Sequence, residues 1–266
     1  MRKGLLWVLA VLITLGVAVF QRLTGPTYPL KGRADVSGLK VSYRLDRSAV
    51  NTQDHEVKVV VSDASVAGAV VWKRSKVDEP RVRVEMKREG GALVGVLPKQ
   101  PMGGKLEYRV LLTKDNNEVS LTGEAPVVIR FKGSVPAAVL IPHILVMFLA
   151  MLFSNMAGLA ALGGKVKTRK LVLWTLALLF LGGFVLGPLV QKFSFGVLWA
   201  GAPIGFDLTD NKTLIAFLLW AAAAIMGRKG KNARGWVLAA SVLTLIVYLI
   251  PHSLLGSEYK YSAPPK

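Results

Sequence analysis

Hydrophobic positions along this chain change regime twice. Residues 4–20 form a 17-residue run without a charge, behind Met1-Arg2-Lys3. From residue 30 to residue 132 the period is two. Leu39, Val41, Tyr43 and Leu45 alternate with Lys40, Ser42, Arg44 and Asp46, and Val57, Val59 and Val61 follow. A strand is expected around Val70 and Trp72. In residues 81–87 (RVRVEMK) Val82, Val84 and Met86 are expected to face inward and the charges outward. Residues 93–96, 106–112 and 127–131 complete about seven expected strands. Glu89-Gly90-Gly91 and Asp115-Asn116-Asn117 supply turn chemistry between them. Alternation with one polar face predicts antiparallel sheets packed on one side. After residue 134 the alternation gives way to four apolar runs, 135–162, 171–190, 214–226 and 236–250. A membrane span takes about 20 residues, so the third run spans only if its helix begins near Thr209.

Composition separates the same two regimes. Of the 266 residues 52% are hydrophobic and 19% charged, which no average soluble domain shows. Residues 21–134 hold 20 Lys/Arg against 13 Asp/Glu, whereas residues 135–256 hold ten Lys/Arg and two acids. The formal charge of +18 therefore does not signal nucleic acid. Arg2, Lys3, Lys165, Lys167, Arg169, Lys170, Arg228, Lys229, Lys231 and Arg234 flank apolar runs, where the positive-inside rule places them in the cytoplasm. With the N-terminus inside, the connections 163–170 and 227–234 are cytoplasmic. The β-region, loop 191–212 and the C-terminal end then lie outside. No Ala-x-Ala site precedes Gln21, so the first run reads as an uncleaved signal anchor. Cysteine is absent, which excludes disulfides, zinc–thiolate sites and iron–sulfur clusters on this chain.

Seven short strands in about a hundred residues predict an immunoglobulin-like sandwich. Residues 97–112 (LPKQPMGGKLEYRVLL) resemble the part of fibronectin-type-III-like domains where a proline turn leads into a tyrosine-bearing strand. The resemblance covers residues 30–132 and implies Tyr108 as that tyrosine and Trp72 as a core tryptophan. It implies a fold and no activity. An exported β-domain joined to a multi-helix membrane unit also resembles bacterial copper-resistance proteins in which two such modules are fused. Those carry His or Met near the start of the β-domain, and residues 21–34 contain neither. The expected fold class is an α+β membrane protein. It has a signal-anchor helix (1–22), an extracytoplasmic Ig-like antiparallel β-sandwich (23–134), a four-helix transmembrane bundle (135–256) with outer loop 191–212, and an outer tail (257–266). The expected location is a bacterial-type inner membrane.

Candidate chemistry gathers at the outer ends of the runs. His55 reads as a solvated edge residue. His143 and His252 each follow Ile-Pro, and the topology puts both at a similar depth on the outer side. Two imidazoles from separate helices suit a b-type haem or a copper ion, and an intramembrane ionisable group is a functional candidate by default. Residues 193–213 (FSFGVLWAGAPIGFDLTDNKT) hold Asp207 and Asp210, the only acids between Glu124 and Glu258. One of Asp207, Thr209 and Asp210 is expected to cap the next helix, and Phe193, Phe195, Trp199 and Phe206 to form an interfacial belt. A cap does not require Trp199, Gly201, Pro203 and Gly205 as well. The second expectation is thus an outer-face pocket using Trp199, Pro203, Asp207, Asp210, Asn211 and Lys212, near His143 and His252.

Other features are structural. Gly183 and Gly187 form a GxxxG pair expected to pack within the chain, and Ser154 and Asn155 are expected to hydrogen-bond a neighbouring helix. Asp207, Thr209, Asn211 and Thr213 mimic calcium-loop spacing, but Lys212 stands where glycine is needed and Leu218 where a glutamate belongs. No nucleophile elbow, P-loop, Rossmann fingerprint or HExxH occurs. The first expectation of function is a non-enzymatic inner-membrane protein. Its surroundings are membrane lipid, and its outer domain and loop bind a protein partner. The alternatives are a haem or copper role through His143 and His252, and outer-face small-molecule binding or transfer.

Overall fold

The computed structural model describes residues 3–163, 167–228, 232–251 and 256–261. It is mixed α+β and divides into two compact units. One comprises Met1–Pro26 with Val135–Ser257, the other Thr27–Ser134 with Glu258–Lys266.

The first unit is helical: α1 (Lys3–Thr24), α2 (Ala137–Gly163), α3 (Arg169–Leu179), a π-helical segment (Phe180–Leu186), α4 (Gly187–Phe195), α5 (Leu208–Met226) and α6 (Arg234–Leu249). Four of these stretches are long and apolar enough to cross a membrane: Lys3–Thr24, Ala137–Gly163, Arg169–Phe195 and Leu208–Met226. The helix α6 is a shorter apolar helix. The helix α1 runs past its expected end at residue 22, because Gln21 Nε2 donates to Tyr248 O (2.7 Å) and Thr24 Oγ1 to Phe20 O (2.8 Å).

Small side chains let these helices approach. Ala150, Ala157 and Ala161 of α2 pack with Ala216 and Ala223 of α5 and Ala240 of α6 around the fully buried Trp220. Few polar bonds cross the interfaces, and each joins two named elements. Trp220 Nε1 donates to Thr244 Oγ1 (2.9 Å), Ser241 Oγ to Ser154 O (3.0 Å), and Asn155 Nδ2 to Thr14 Oγ1 (3.0 Å). Gly183 of the GxxxG pair faces inward, where a Cβ would run into Thr213 Cγ2, and so does Gly182 beside it, where a Cβ would meet Met147 Sδ at 2.5 Å; one on Gly187 would meet His143 Cε1 only at 3.8 Å. The π-helical segment lies just before Pro188. Proline lacks the N–H that an α-helix needs and its ring crowds the carbonyl four residues back, so a wider turn relieves the helix. Gly187 N–H accordingly bonds Gly182 O, five residues back.

The second unit holds eleven strands among the described residues: β1 (Leu30–Val36), β2 (Leu39–Leu45), β3 (Ser48–Val50), β4 (His55–Val60), β5 (Ala67–Arg74), β6 (Val82–Glu85), β7 (Lys87–Glu89), β8 (Ala92–Leu97), β9 (Lys105–Lys114), β10 (Asn117–Ser120) and β11 (Val127–Lys132). They form a β1-β2 pair, a six-stranded sheet ordered β3-β11-β9-β5-β6 with β10 on β9, and a β4-β8-β7 sheet. All pairs are antiparallel except β3 with β11. One apolar core serves the three sheets. Strand β9 contributes Leu106, Tyr108, Val110 and Leu112, each fully buried, at the expected period of two. The four extra strands escape the pattern because β3, β7 and β10 are three or four residues long and β1 carries Gly32 and Ala34.

Two expectations need correction here. Residues 81–87 are two strands. At Met86, whose N–H bonds Gly68 O (2.7 Å), the chain leaves β5 and joins β8. Met86 stays in the core, but Val82 lies on the edge strand and is 45% exposed. His55 is on an edge strand, β4, but is half-buried, its side chain being 17% exposed. Burial pushes its imidazole below the usual range, against the opposing pull of Asp46, 3.8 Å away, and Glu56. The described part of the tail from Glu258 on belongs to this unit. Tyr259 N–H bonds Gly103 O (3.1 Å), Tyr261 Oη accepts from Lys105 N–H (3.1 Å), and Glu258 pairs with Lys76 and Lys105. Tyr108 is fully buried and donates to Asp46 O (2.8 Å), and Trp72 lies opposite it in register, partly buried against the core.

Core closeness in this unit is testable. A Cβ on Gly95 would meet Val70 Cγ2 at 2.4 Å, whereas one on Gly91 has nothing within 4 Å. Gly95→Ala is expected to destabilise the unit by about 1–3 kcal/mol through overpacking, and Gly91→Ala by less than about 0.5 kcal/mol. Hydrogen-exchange protection of β4, β5 and β8 in the full chain measures both.

Candidate functional site

The expected loop is shorter than its sequence outline. Residues 193–195 belong to α4 and residues 208–213 to α5, so the connection is residues 196–207. Gly196 ends α4 in the left-handed conformation (φ 81°), where its N–H bonds Lys192 O. From there the segment folds back on the start of α5. Asp210 Oδ2 accepts from Ala200 N–H (2.6 Å), Asn211 Oδ1 from Ala202 N–H (2.7 Å), and Ala200 O from Asp207 N–H (2.9 Å). Gly201 lies so close to α5 that a Cβ there would sit 2.7 Å from Asp210 Cβ.

Asp207 is the cap of α5. Its carboxylate accepts from Thr209 N–H (2.8 Å) and Asp210 N–H (3.3 Å), meeting two of the free N–H groups of the first turn. It also accepts from Ser257 N–H (2.7 Å), Ser257 Oγ (2.9 Å) and Gln191 Nε2 (3.4 Å). Burial opposes its charge, but these donors outweigh it and hold the carboxyl below the usual range. Lys212 is buried and donates to Ile250 O (2.6 Å), a carbonyl at the C-terminal end of α6.

The aromatics of this region divide. Trp199 turns inward, stacked on Phe184 (5.5 Å, 20°), with Nε1 bonded to Ala202 O (3.1 Å). Phe184 meets Phe217 edge-on at 4.9 Å. Pro203 is exposed, and Ile204 and Phe206 project outward, 77% and 94% exposed. Trp199 and Phe206 therefore do not share a belt.

His143 is half-buried on α2, and its Nδ1 bonds Gly182 O (3.0 Å) of the π-helical segment. A carbonyl only accepts, so Nδ1 carries the hydrogen. His143, Gln21, Tyr248, Met147 and Met151 line a cavity of about 290 Å³ among α1, α2, α4 and α6. A second cavity of about 20 Å³ touches Lys212 and Thr209 and shares Met147 and Tyr248 with the first. Neither Asp207 nor Asp210 lines the cavity of His143. The structure thus gathers Asp207, Asp210, Asn211, Lys212 and Trp199 into one latch at the start of α5 and leaves His143 elsewhere. His252, its expected partner, lies outside the described residues. Among the described residues no three His, Asp or Glu side chains group as a metal site. Sequence reasoning missed Gln191, Ser257, Gln21 and Tyr248. Gln191 stands alone as an uncharged polar side chain at the end of an apolar run, a signal that was available.

No family model matches this chain, and no curated protein matches it. Among solved structures it aligns with one described as the crystal structure of a Br derivative of BhCBM56, at 10% identity and a TM-score of 0.28. The alignment covers 38% of this chain and 97% of that one. A likeness of that degree carries no argument about fold or function.

The cap generates a pH prediction. A carboxyl held below its ordinary value stabilises fully above the unfolded value of about 3.9, and that stability is lost as pH falls through the folded value. Asp207→Ala is expected to lose about 0.5–2 kcal/mol at neutral pH. Thermal unfolding of both proteins across the acid range should show the gap narrowing below about pH 4.

Proposed function

We propose that this chain is a bacterial-type inner-membrane protein that acts by binding a protein partner on the outer face, not by catalysis. In this reading α1 is a signal anchor with its start in the cytoplasm. The β-unit is an immunoglobulin-like sandwich outside, and α2, α3–α4, α5 and α6 span the bilayer as a bundle. Loop 196–207 then lies on the same side as the β-unit. The setting is supported by the four long apolar stretches and by the basic residues that crowd the α2–α3 and α5–α6 connections.

The observation that carries the binding reading is the loop. Asp207, Asp210 and Asn211 fix its backbone, and the fixed backbone holds Ile204 and Phe206 almost fully out of the protein. A connector between two helices needs no such latch. Leaving a phenylalanine exposed forgoes burial worth roughly 1.5–3 kcal/mol, which an apolar pocket on a partner restores. Anchors of this kind bind best when preorganised, because less freedom is lost on docking.

A photo-crosslinking amino acid placed at Phe206 or Ile204 in cells tests this. The expected result is a discrete protein adduct from either position. It should weaken when Asp210→Ala releases Ala200, with the amount of protein in the membrane unchanged. Adducts to lipid alone would contradict a protein partner.

A further inference from the structure

The cavity that holds His143 is separate from the loop, none of whose residues lines it. We propose that it binds a neutral amphiphile of the bilayer whose head carries a hydroxyl group. This rests on the membrane reading above and goes beyond it in naming a ligand site and a ligand class.

Size and position come first. A volume of about 290 Å³ sits at the lower end of small-molecule sites. It takes a head or one ring and leaves the tail outside. Ile144 and Phe148 line the cavity and are also 41% and 40% exposed on the outer side of α2. The mouth is therefore apolar and lateral, and in a membrane it faces lipid. The ligand enters from the bilayer with its tail along Ile144 and Phe148.

The polar lining sets the head. Among the described residues no Lys, Arg, Asp or Glu lines the cavity, so a phosphate or ammonium head would be desolvated without a counter-charge. Three uncharged polar side chains among the described residues do line it, each with one side committed. His143 spends Nδ1–H on Gly182 O, which leaves Nε2 of the neutral ring as an acceptor. Gln21 spends its Nε2 donors on the carbonyls of Tyr248 (2.7 Å) and Ile250 (3.4 Å), which leaves Oε1 as an acceptor. Among the described residues the Tyr248 hydroxyl has only Met147 sulfur, at 4.0 Å. Two acceptors and one hydroxyl suit a head that both donates and accepts. The glycerol hydroxyl of a diacylglycerol and the ring hydroxyls of a quinol share this chemistry.

The π-helical segment is an independent observation at the same place. Its widened turn gives Gly182 O to both Gly187 N–H and His143, and so sets the ring's tautomer from the neighbouring helix.

The test uses full-length protein in phosphatidylcholine nanodiscs with three diazirine probes of one chain type: a diacylglycerol, a phosphatidylglycerol and the headless hydrocarbon. The diacylglycerol probe is expected to label residues 17–21 and 140–151 above the other two. Dioctanoylglycerol or a short-chain ubiquinol should compete, and which one competes tells the glycerol head from the ring. His143→Phe and Gln21→Leu should each lower the preference roughly 3–10-fold, the size of one lost hydrogen bond. Ala18→Trp, which fills the cavity, should remove the labelling. Equal labelling by the three probes, preference for phosphatidylglycerol, lack of competition by both lipids, or a preference untouched by every variant overturns the proposal. Failure of the membrane reading shows separately, as release of the protein from cell membranes by alkaline carbonate.

Discussion

A helix that starts among apolar neighbours brings unpaired N–H groups with it, and the order around the start of α5 follows from how those groups are met. At α5 the answer is Asp207. Its two oxygens take the first-turn donors and then three more, from Gln191 in the middle of α4 and from Ser257 after α6. One carboxylate thereby joins three separate stretches of chain. Asp210 and Asn211, one turn on, have acceptors to spare and use them on Ala200 and Ala202. The apolar tip is a consequence of that closure, since a loop latched at both ends cannot fold Ile204 and Phe206 back.

The same economy runs through the helix contacts. Alanine and glycine seams bring backbones close, and single polar bonds set the register: Asn155 to Thr14, Trp220 to Thr244, Ser241 to Ser154, His143 to Gly182. In apolar surroundings each such group has few other partners, so each bond specifies more than its energy implies. In the β-unit the order comes instead from alternation, and the two units are stabilised by different physics.

That difference decides what could be read in advance. The alternation in β2 and β9 and the apolar runs were legible because burial repeats along the sequence. The cap at Asp207 was legible because Asp before a helix has a local reason. The switch at Met86 was not, since nothing local distinguishes one strand from two that join different sheets. The π-helical segment was not either, although Pro188 after two glycines marks a helix under strain. Asp210 and Asn211 stood out as polar residues, but their partners are backbone groups ten and nine residues away that only the folded loop presents. His143 was legible as an oddity and its cavity was not. Gln21, Tyr248 and the π-helical carbonyl come from three distant stretches.

The account stands on which side of a membrane each connection lies. The chain has no cysteine, so single cysteines can be placed in a clean background at Thr122, Leu198 and Lys167 and reacted in intact cells with a maleimide that cannot cross the inner membrane. Labelling is expected at Thr122 and Leu198 from outside, and at Lys167 only after the membrane is opened. Labelling of Lys167 from outside, or protection of Leu198 while Thr122 reacts, would contradict it.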